Sequence, residues 1–399
     1  GSGDLFAGYG GGLYLHGGRA RIAGSGLAFG DRPLPLIGVN SARYGGGIAL
    51  LATEDREPVV QLEASASGTP QFLSANSASV AGGAIYAKTY IAGLGPERDA
   101  VVCLSDTSIT DNRAPLGAAI RLDNYSRAGF DDWRPQIYYN DTAHATPICS
   151  VPEHACPPDG RCSAIRGNTS QDVDGDDTAG AIISIANGES AFPYTTFRNI
   201  SITENRGGSI LRVDGGRLMH MINALIADNV LSQSVIESTA DASLILQVTL
   251  AGNLMPDGRA ALRLQEHPQT DIDHQSRVQD SLIWQPGHPA FALSGEASQF
   301  TTTYVIGNDD ALLGWSPTNR VADPAFVDPQ NGDYRLRASS IAVDFAPSLS
   351  ASAFDIDGAP RNADDGAIAN QYGPADVGAY ERRVPASGDR IFASPFERL

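Results

Sequence analysis

Lys88, the only lysine in the 399 residues, follows Tyr86 in "AIYAK". An amine beside another cation loses proton affinity and becomes a usable base near neutral pH. The same motif returns as "AIRLD", which sets Arg121 against Tyr86 and Asp123 against Lys88 if the two segments are neighbouring strands. Lys88 as base, with Arg121 neutralising a uronate carboxylate, is the equipment of a polysaccharide lyase. Asp123 opposes it, because an opposite charge stabilises the ammonium form. Hydrolysis of a glycosidic bond needs two carboxylates at a set separation instead, and Asp123 with Asp131 or Asp132 are its candidates. The seven histidines are scattered, and no G-x-S-x-G, HExxH or phosphate loop occurs, so a triad or catalytic metal centre has no support.

Binding is the other chemistry on offer. Aligning the repeats on their glycines makes two columns of outward residues. The first holds Tyr14, Ala49, Tyr86, Arg121, Ser184, Arg212, Glu237, Arg263 and Ala292. The second holds His16, Leu51, Lys88, Asp123, Ala186, Asp214, Thr239, Gln265 and Ser294. Aromatics beside mixed charges suit an elongated polysaccharide, by stacking and hydrogen bonding. They also suit a solvated sheet face with cross-strand charge pairs. The segment "NYSRAGFDDWRPQIYYND" (124–141) leaves directly from this face, so Trp133, Tyr138 and Tyr139 are expected to wall a cleft above Tyr86, Lys88 and Arg121. In "QDVDGDD", Asp172, Asp174, Asp176 and Asp177 supply hard oxygens around Gly175. Calcium loops have this composition, and so do solvated acidic loops; the closing Glu of an EF-hand is missing. Calcium is therefore the one cofactor in view.

The elements that would position these residues are short and repeated. "YGGGLYL" (9–15), "YGGGIAL" (44–50), "AGGAIYA" (81–87) and "LGAAIRL" (116–122) share one pattern, with weaker copies to "HPAFAL" (288–293). An asparagine series runs with them: Asn40, Asn76 and Asn112 at intervals of 36, then Asn205, Asn229 and Asn253 at intervals of 24. A fixed period of this size marks a solenoid. Apolar residues alternate within each unit and no helical period is sustained, so the unit is a coil of strands. The fold expected is all-β: a single right-handed parallel β-helix. Its coils span 1–122 and 179–320, with a loop insertion at 123–178, an end and cap at 321–383 and a tail at 384–399. Asn would satisfy polar groups at a bend, and Gly-Gly would allow positive φ and close approach of the next coil. In the cap, Asp355, Asp357 and Asp376 are expected to bond backbone amides.

Composition narrows the partners. Lys and Arg total 28 against 46 Asp and Glu, a net charge of −18, which disfavours nucleic acid and anionic lipid. No stretch has the apolar length of a membrane span, and a capped solenoid is expected to be monomeric. Cys103, Cys149, Cys156 and Cys162 are even in number, and three lie in a Pro/Gly-rich loop without zinc spacing. Two disulfides in an oxidising compartment are expected, with the pairing open. The opening "GSGDLF" carries no signal peptide, so a targeting segment is taken as removed.

The Gly-Gly-Ala-Ile style of the repeats resembles that of polymorphic outer membrane proteins, bacterial surface β-helices. "DPAFVDPQNGDYRLRASSIAVDFA" (323–346), "DIDGAPRN" (355–362) and "DVGAYE" (376–381) resemble the end of choice-of-anchor Q-type β-helix proteins, and "GDRIFASPFE" (388–397) is similar to a tail of secreted proteobacterial proteins. The resemblance implies a secreted or outer-surface bacterial β-helix and says little about chemistry. Two functions stand: an adhesin-like protein that binds glycan or a surface partner, and a polysaccharide lyase or, less favoured, a glycoside hydrolase.

Overall fold

Almost every strand pairs in parallel with the coil before it and the coil after it. The computed structural model describes residues 8–23, 28–29, 32–33, 37–52, 56–63, 71–89, 100–124, 134–139, 163–170, 180–187, 193–216, 218–266, 275–295, 300–347 and 352–383. One sheet stacks nine strands, from Leu13–Leu15, Ile48–Leu51, Ile85–Lys88 and Ile120–Asn124 to Phe291–Gly295. A second sheet has 16 strands, its main run going from Gly18–Ala23 and Pro58–Glu63 to Ile306–Gly307 and Arg320–Val321. Ser41–Tyr44 and Ser77–Ala81 pair on another face. This is the expected parallel β-helix. Ile48, Ile85, Ile120, Ile183, Leu211, Ile236 and Leu262 follow one another in register and are fully buried inside it. Each such side chain contributes about 1.5–3 kcal/mol on burial.

Two devices turn each coil. Gly45 has φ +62°, and a Cβ on Gly46 would lie 2.4 Å from the carbonyl oxygen of Gly83 in the next coil. The first glycine thus supplies left-handed backbone and the second lets coils touch. At another corner the asparagines form a continuous ladder. Asn76 Nδ2 donates to Asn112 Oδ1 at 3.0 Å, Asn205 Nδ2 to Asn229 Oδ1 at 3.0 Å, and Asn229 Nδ2 to Asn253 Oδ1 at 2.8 Å. Asn168, absent from the sequence periods, is the missing rung: it accepts from Asn112 at 2.9 Å and donates to Asn205 at 3.0 Å. The residue before each rung is left-handed, including Asp111, Glu204 and Asp228, each at φ +57°. Asp111 and Asp228 suit that bend, because a short polar side chain tolerates positive φ better than an apolar branched one.

Within the expected insertion at 123–178, the described residues 134–139 and 164–166 are strands of the solenoid. Arg134–Tyr139 pairs with Val101–Leu104 and Pro193–Thr203, and Ala164–Arg166 pairs with Thr107–Thr110. Tyr138 is therefore a strand residue in register with Cys103 and Thr196, not the wall of an overhanging loop. The ladder demands this, since Asn112 cannot reach Asn205 without an intervening rung at Asn168. Trp133, the acidic run at Asp172, Asp174, Asp176 and Asp177, and Cys149, Cys156 and Cys162 lie outside the described residues. Cys103 is fully buried.

The described C-terminal residues, up to 383, do not close the end of the solenoid. There, a single turn of helix, Leu312–Trp315, puts Leu312 into the main core beside Val305 and Phe300. Residues from Phe326 to Ala379 instead fold back along the side of the coils, and a second core joins Phe345, Ile356 and Val377 to Leu225, Ala251 and Leu282. In this segment Asp333–Leu336 forms a hairpin, antiparallel to Phe326–Asp328. Asp355 accepts backbone N–H bonds from Asp357, Ala359 and Glu381, and Asp376 from Asp344 and Arg382. These two carboxylates are structural, as expected; Asp357 contributes its own amide to Asp355.

The docked segment carries a pH signature. Burial pushes Glu381 up to about 8, Asp280 to about 7, and Asp357 and Asp376 to about 6, from ordinary values of 4.5 for Glu381 and 3.8 for the aspartates. Each group binds its proton more tightly folded than unfolded. Stability is thus greatest at low pH in this window and falls as pH rises through the raised values. The urea midpoint is expected to be higher at about pH 5.5 than at about pH 8.5, and Glu381→Gln should flatten that slope. A midpoint that climbs over this interval would reverse the assignment.

Candidate functional site

The nine-stranded sheet sets the outward columns as the glycine alignment expects. Tyr14 pairs with Ala49, Ala49 with Tyr86, Tyr86 with Arg121, Arg121 with Ser184, and Ser184 with Arg212. Arg212 continues to Glu237, Arg263 and Ala292. In the second column Leu51, Lys88, Asp123, Ala186 and Asp214 are in register, as are Gln265 and Ser294. Eight spacings of about 4.8 Å make the first column roughly 38 Å long.

Its upper half is an aromatic cluster. Tyr9 and Tyr44, which the alignment left out, precede the turning glycines and face the outward strand across the bend. Tyr9 stacks on Tyr44 at 4.9 Å and on Tyr14 at 6.1 Å; Tyr44 meets Tyr86 at 5.0 Å; Tyr14 stacks on His16 at 6.1 Å. Small residues make room: Ala49 lies between Tyr14 and Tyr86 in the column, and Ala81 follows Tyr44 before the bend. The signal for Tyr9 and Tyr44 was in plain sight, as the leading letter of "YGGG". Tyr86 is buried at 2 % exposure, whereas Tyr9, Tyr14 and Tyr44 are half-buried and His16 is exposed.

Beneath the tyrosines the charges are locked together. Tyr86 Oη donates to Asp123 Oδ2 at 2.7 Å, and Arg121 Nε donates to Asp123 Oδ1 at 2.6 Å. Arg121 also donates to Ser184 Oγ at 2.5 Å, and both members of the ion pair are largely covered, at 13 % and 14 % exposure. Burial, followed by the Asp123 charge, drives the Tyr86 phenol far above its usual range; burial also raises Tyr9 and Tyr14. These phenols stay protonated and do not act as bases. Lys88 is exposed and level with Asp123 in the ladder.

The lower half is polar. Arg212 pairs with Asp214 at 3.1 Å, and Arg263 reaches Glu237 at 3.9 Å. With Thr239, Gln265 and Ser294 they line a shallow groove of about 150 Å³. Exposed pairs of this kind contribute about 0–1 kcal/mol each, so they shape a surface more than they stabilise it. Among the described residues no group of three or more His, Cys, Asp or Glu is placed to hold a metal ion, and no helix is long and apolar enough to cross a membrane.

Compared with protein-family models, with curated proteins and with solved structures, the chain matches none.

Proposed function

We propose that this β-helix binds an extended, uncharged glycan along its outward sheet face, as a secreted or cell-surface adhesin-like protein. The observation that carries the reading is the row of half-buried tyrosines set above an internally neutralised Arg121–Asp123 pair. The half-buried rings offer flat apolar surface, which matches the C–H faces of sugar rings. The 38 Å column suits a chain better than a single sugar, and the net charge of −18 disfavours polyanions. The C-terminal motifs and the four cysteines support an extracellular protein of the choice-of-anchor Q type, stabilised by two disulfides, with calcium at Asp172, Asp174, Asp176 and Asp177 as an optional ligand.

A lyase is the second reading, favoured by the exposed Lys88 beside Asp123. It is the weaker one, because Arg121 would have to leave Asp123 to neutralise a uronate.

Affinity electrophoresis through gels cast with neutral and uronate polysaccharides, with and without calcium, separates the two. Retardation by a neutral glycan is expected, with Tyr14→Ala and Tyr9→Ala each weakening it roughly tenfold while the urea midpoint moves little. Retardation unchanged in both variants would dismiss the tyrosine face. Ultraviolet-absorbing unsaturated ends, lost in Lys88→Ala, would install the lyase instead.

A further inference from the structure

Where the returning segment leans over the ladder corner, it leaves an open cleft of about 890 Å³. That size lies within the roughly 300–1,000 Å³ of small-molecule sites. The floor is Ala251 and Gly252, one wall is Trp284, and the hairpin of Phe326–Asp328 and Asp333–Leu336 forms the other. The floor is built to be open. A Cβ on Gly252 would lie 2.2 Å from Tyr334 Oη, and the space lets Tyr334 donate to Asp228 Oδ1 at 2.5 Å.

The polar groups around this floor are only half used. Asp228 Oδ1 is taken by Tyr334, Asp323 Oδ1 by the amide of Ala325, and Asp328 Oδ2 by Asn331 Nδ2. Each carboxylate keeps its second oxygen without a hydrogen-bond partner among the described residues. Arg337 spends one Nη on the carbonyl of Val327 and brings its guanidinium to the same cleft. An indole flanked by carboxylate acceptors and one forked donor suits a sugar ring, which offers a C–H face and a rim of hydroxyls.

We propose that this cleft binds a sugar ring of an uncharged glycan, as a second site at the C-terminal end of the coils. It is independent of the tyrosine face and does not rest on it. Three carboxylates against one arginine exclude uronates by charge.

The test uses the full chain with Trp133→Phe and Trp315→Phe, so that Trp284 is the sole indole. Its emission is followed during titration with cellohexaose, mannohexaose, maltohexaose and chitohexaose, with spermine as a cationic control. A saturable change with at least one hexaose is expected. Asp323→Asn and Asp328→Asn should each weaken it about tenfold, while Tyr14→Ala leaves it unchanged. Calorimetry comparing the unsubstituted chain with Trp284→Ala gives the same answer if the double phenylalanine variant does not fold. No response to any hexaose, or a response to spermine alone, would overturn the proposal, the latter making the cleft a cation site.

Discussion

Asn205→Ala is expected to cost about 3–5 kcal/mol, close to the whole stability of many domains. Asn205 is almost fully buried and works in five hydrogen bonds through its side chain. Its Oδ1 accepts from Asn168 backbone N at 2.9 Å and from Asn168 Nδ2 at 3.0 Å. Its Nδ2 donates to the carbonyls of Ile165 and Thr203 at 2.8 and 3.0 Å. Alanine strands a backbone donor and two carbonyls where water does not reach, and each buried orphan costs about 1–3 kcal/mol. Asp keeps the acceptor, loses the donors and adds a buried charge, so Asn205→Asp should be no better. The damage should be local, because a solenoid couples each coil only to its neighbours. Hydrogen exchange should speed up at 165–168 and 203–229 before it does at 48–62. Urea unfolding that changes by less than about 1 kcal/mol would mean the ladder is decorative.

Arg361→Ala should be nearly as damaging, at about 3–5 kcal/mol. The side chain is completely enclosed, at 0 % exposure. Nη2 donates to Asn223 Oδ1 at 2.5 Å, and Nη1 lies 3.7 Å from Glu381 Oε2. Asn223 belongs to a coil and Glu381 to the returning segment, so one cation ties the two together. Asp355, Asp376 and Asp280 also feel its charge. Removing it leaves several buried carboxylates with no counter-charge, which is the costly way to break a buried pair. The loss should shrink towards about pH 5, where Asp376, Asp280 and Glu381 are protonated. Glu381→Gln should cost far less, since it imitates the protonated acid that burial already favours. Urea midpoints of both variants across pH decide this, and limited proteolysis should find 321–383 cut first in Arg361→Ala. A pH-independent loss would assign the effect to packing alone.

The outward columns were readable because parallel stacking in register copies sequence alignment into space: residues equivalent in the repeat become neighbours about 4.8 Å apart. Tyr14, Tyr86, Arg121, Arg212 and Arg263 could therefore be placed from spacing alone. Their environments could not. Tyr86 was expected on an open face, yet it is buried, because the turn brings Tyr44 across a corner that no strand periodicity describes. Arg121 was expected to meet a substrate carboxylate, but a residue two positions on in its own strand reaches it first.

Asn168 and Arg134–Tyr139 were hidden for a different reason. Extra residues between strands erase the period while leaving the pairing intact, since a longer loop costs little entropy once its ends are held. The C-terminal arrangement lay further from reach. "DIDGAPRN" and "DVGAYE" announce carboxylates that bond amides, and Asp355 and Asp376 do so. Nothing in their spacing says that Arg361 will find Asn223, 138 residues earlier.

Repetition is local information, so the chain alone dictates the coil, its turning glycines, its ladder and the direction in which each strand residue points. Docking of a non-repeating segment onto the side of a solenoid is long-range. Only the folded molecule settles which outward residues are covered, which charges are paired, and where the cleft between Trp284 and Asp323 is left open.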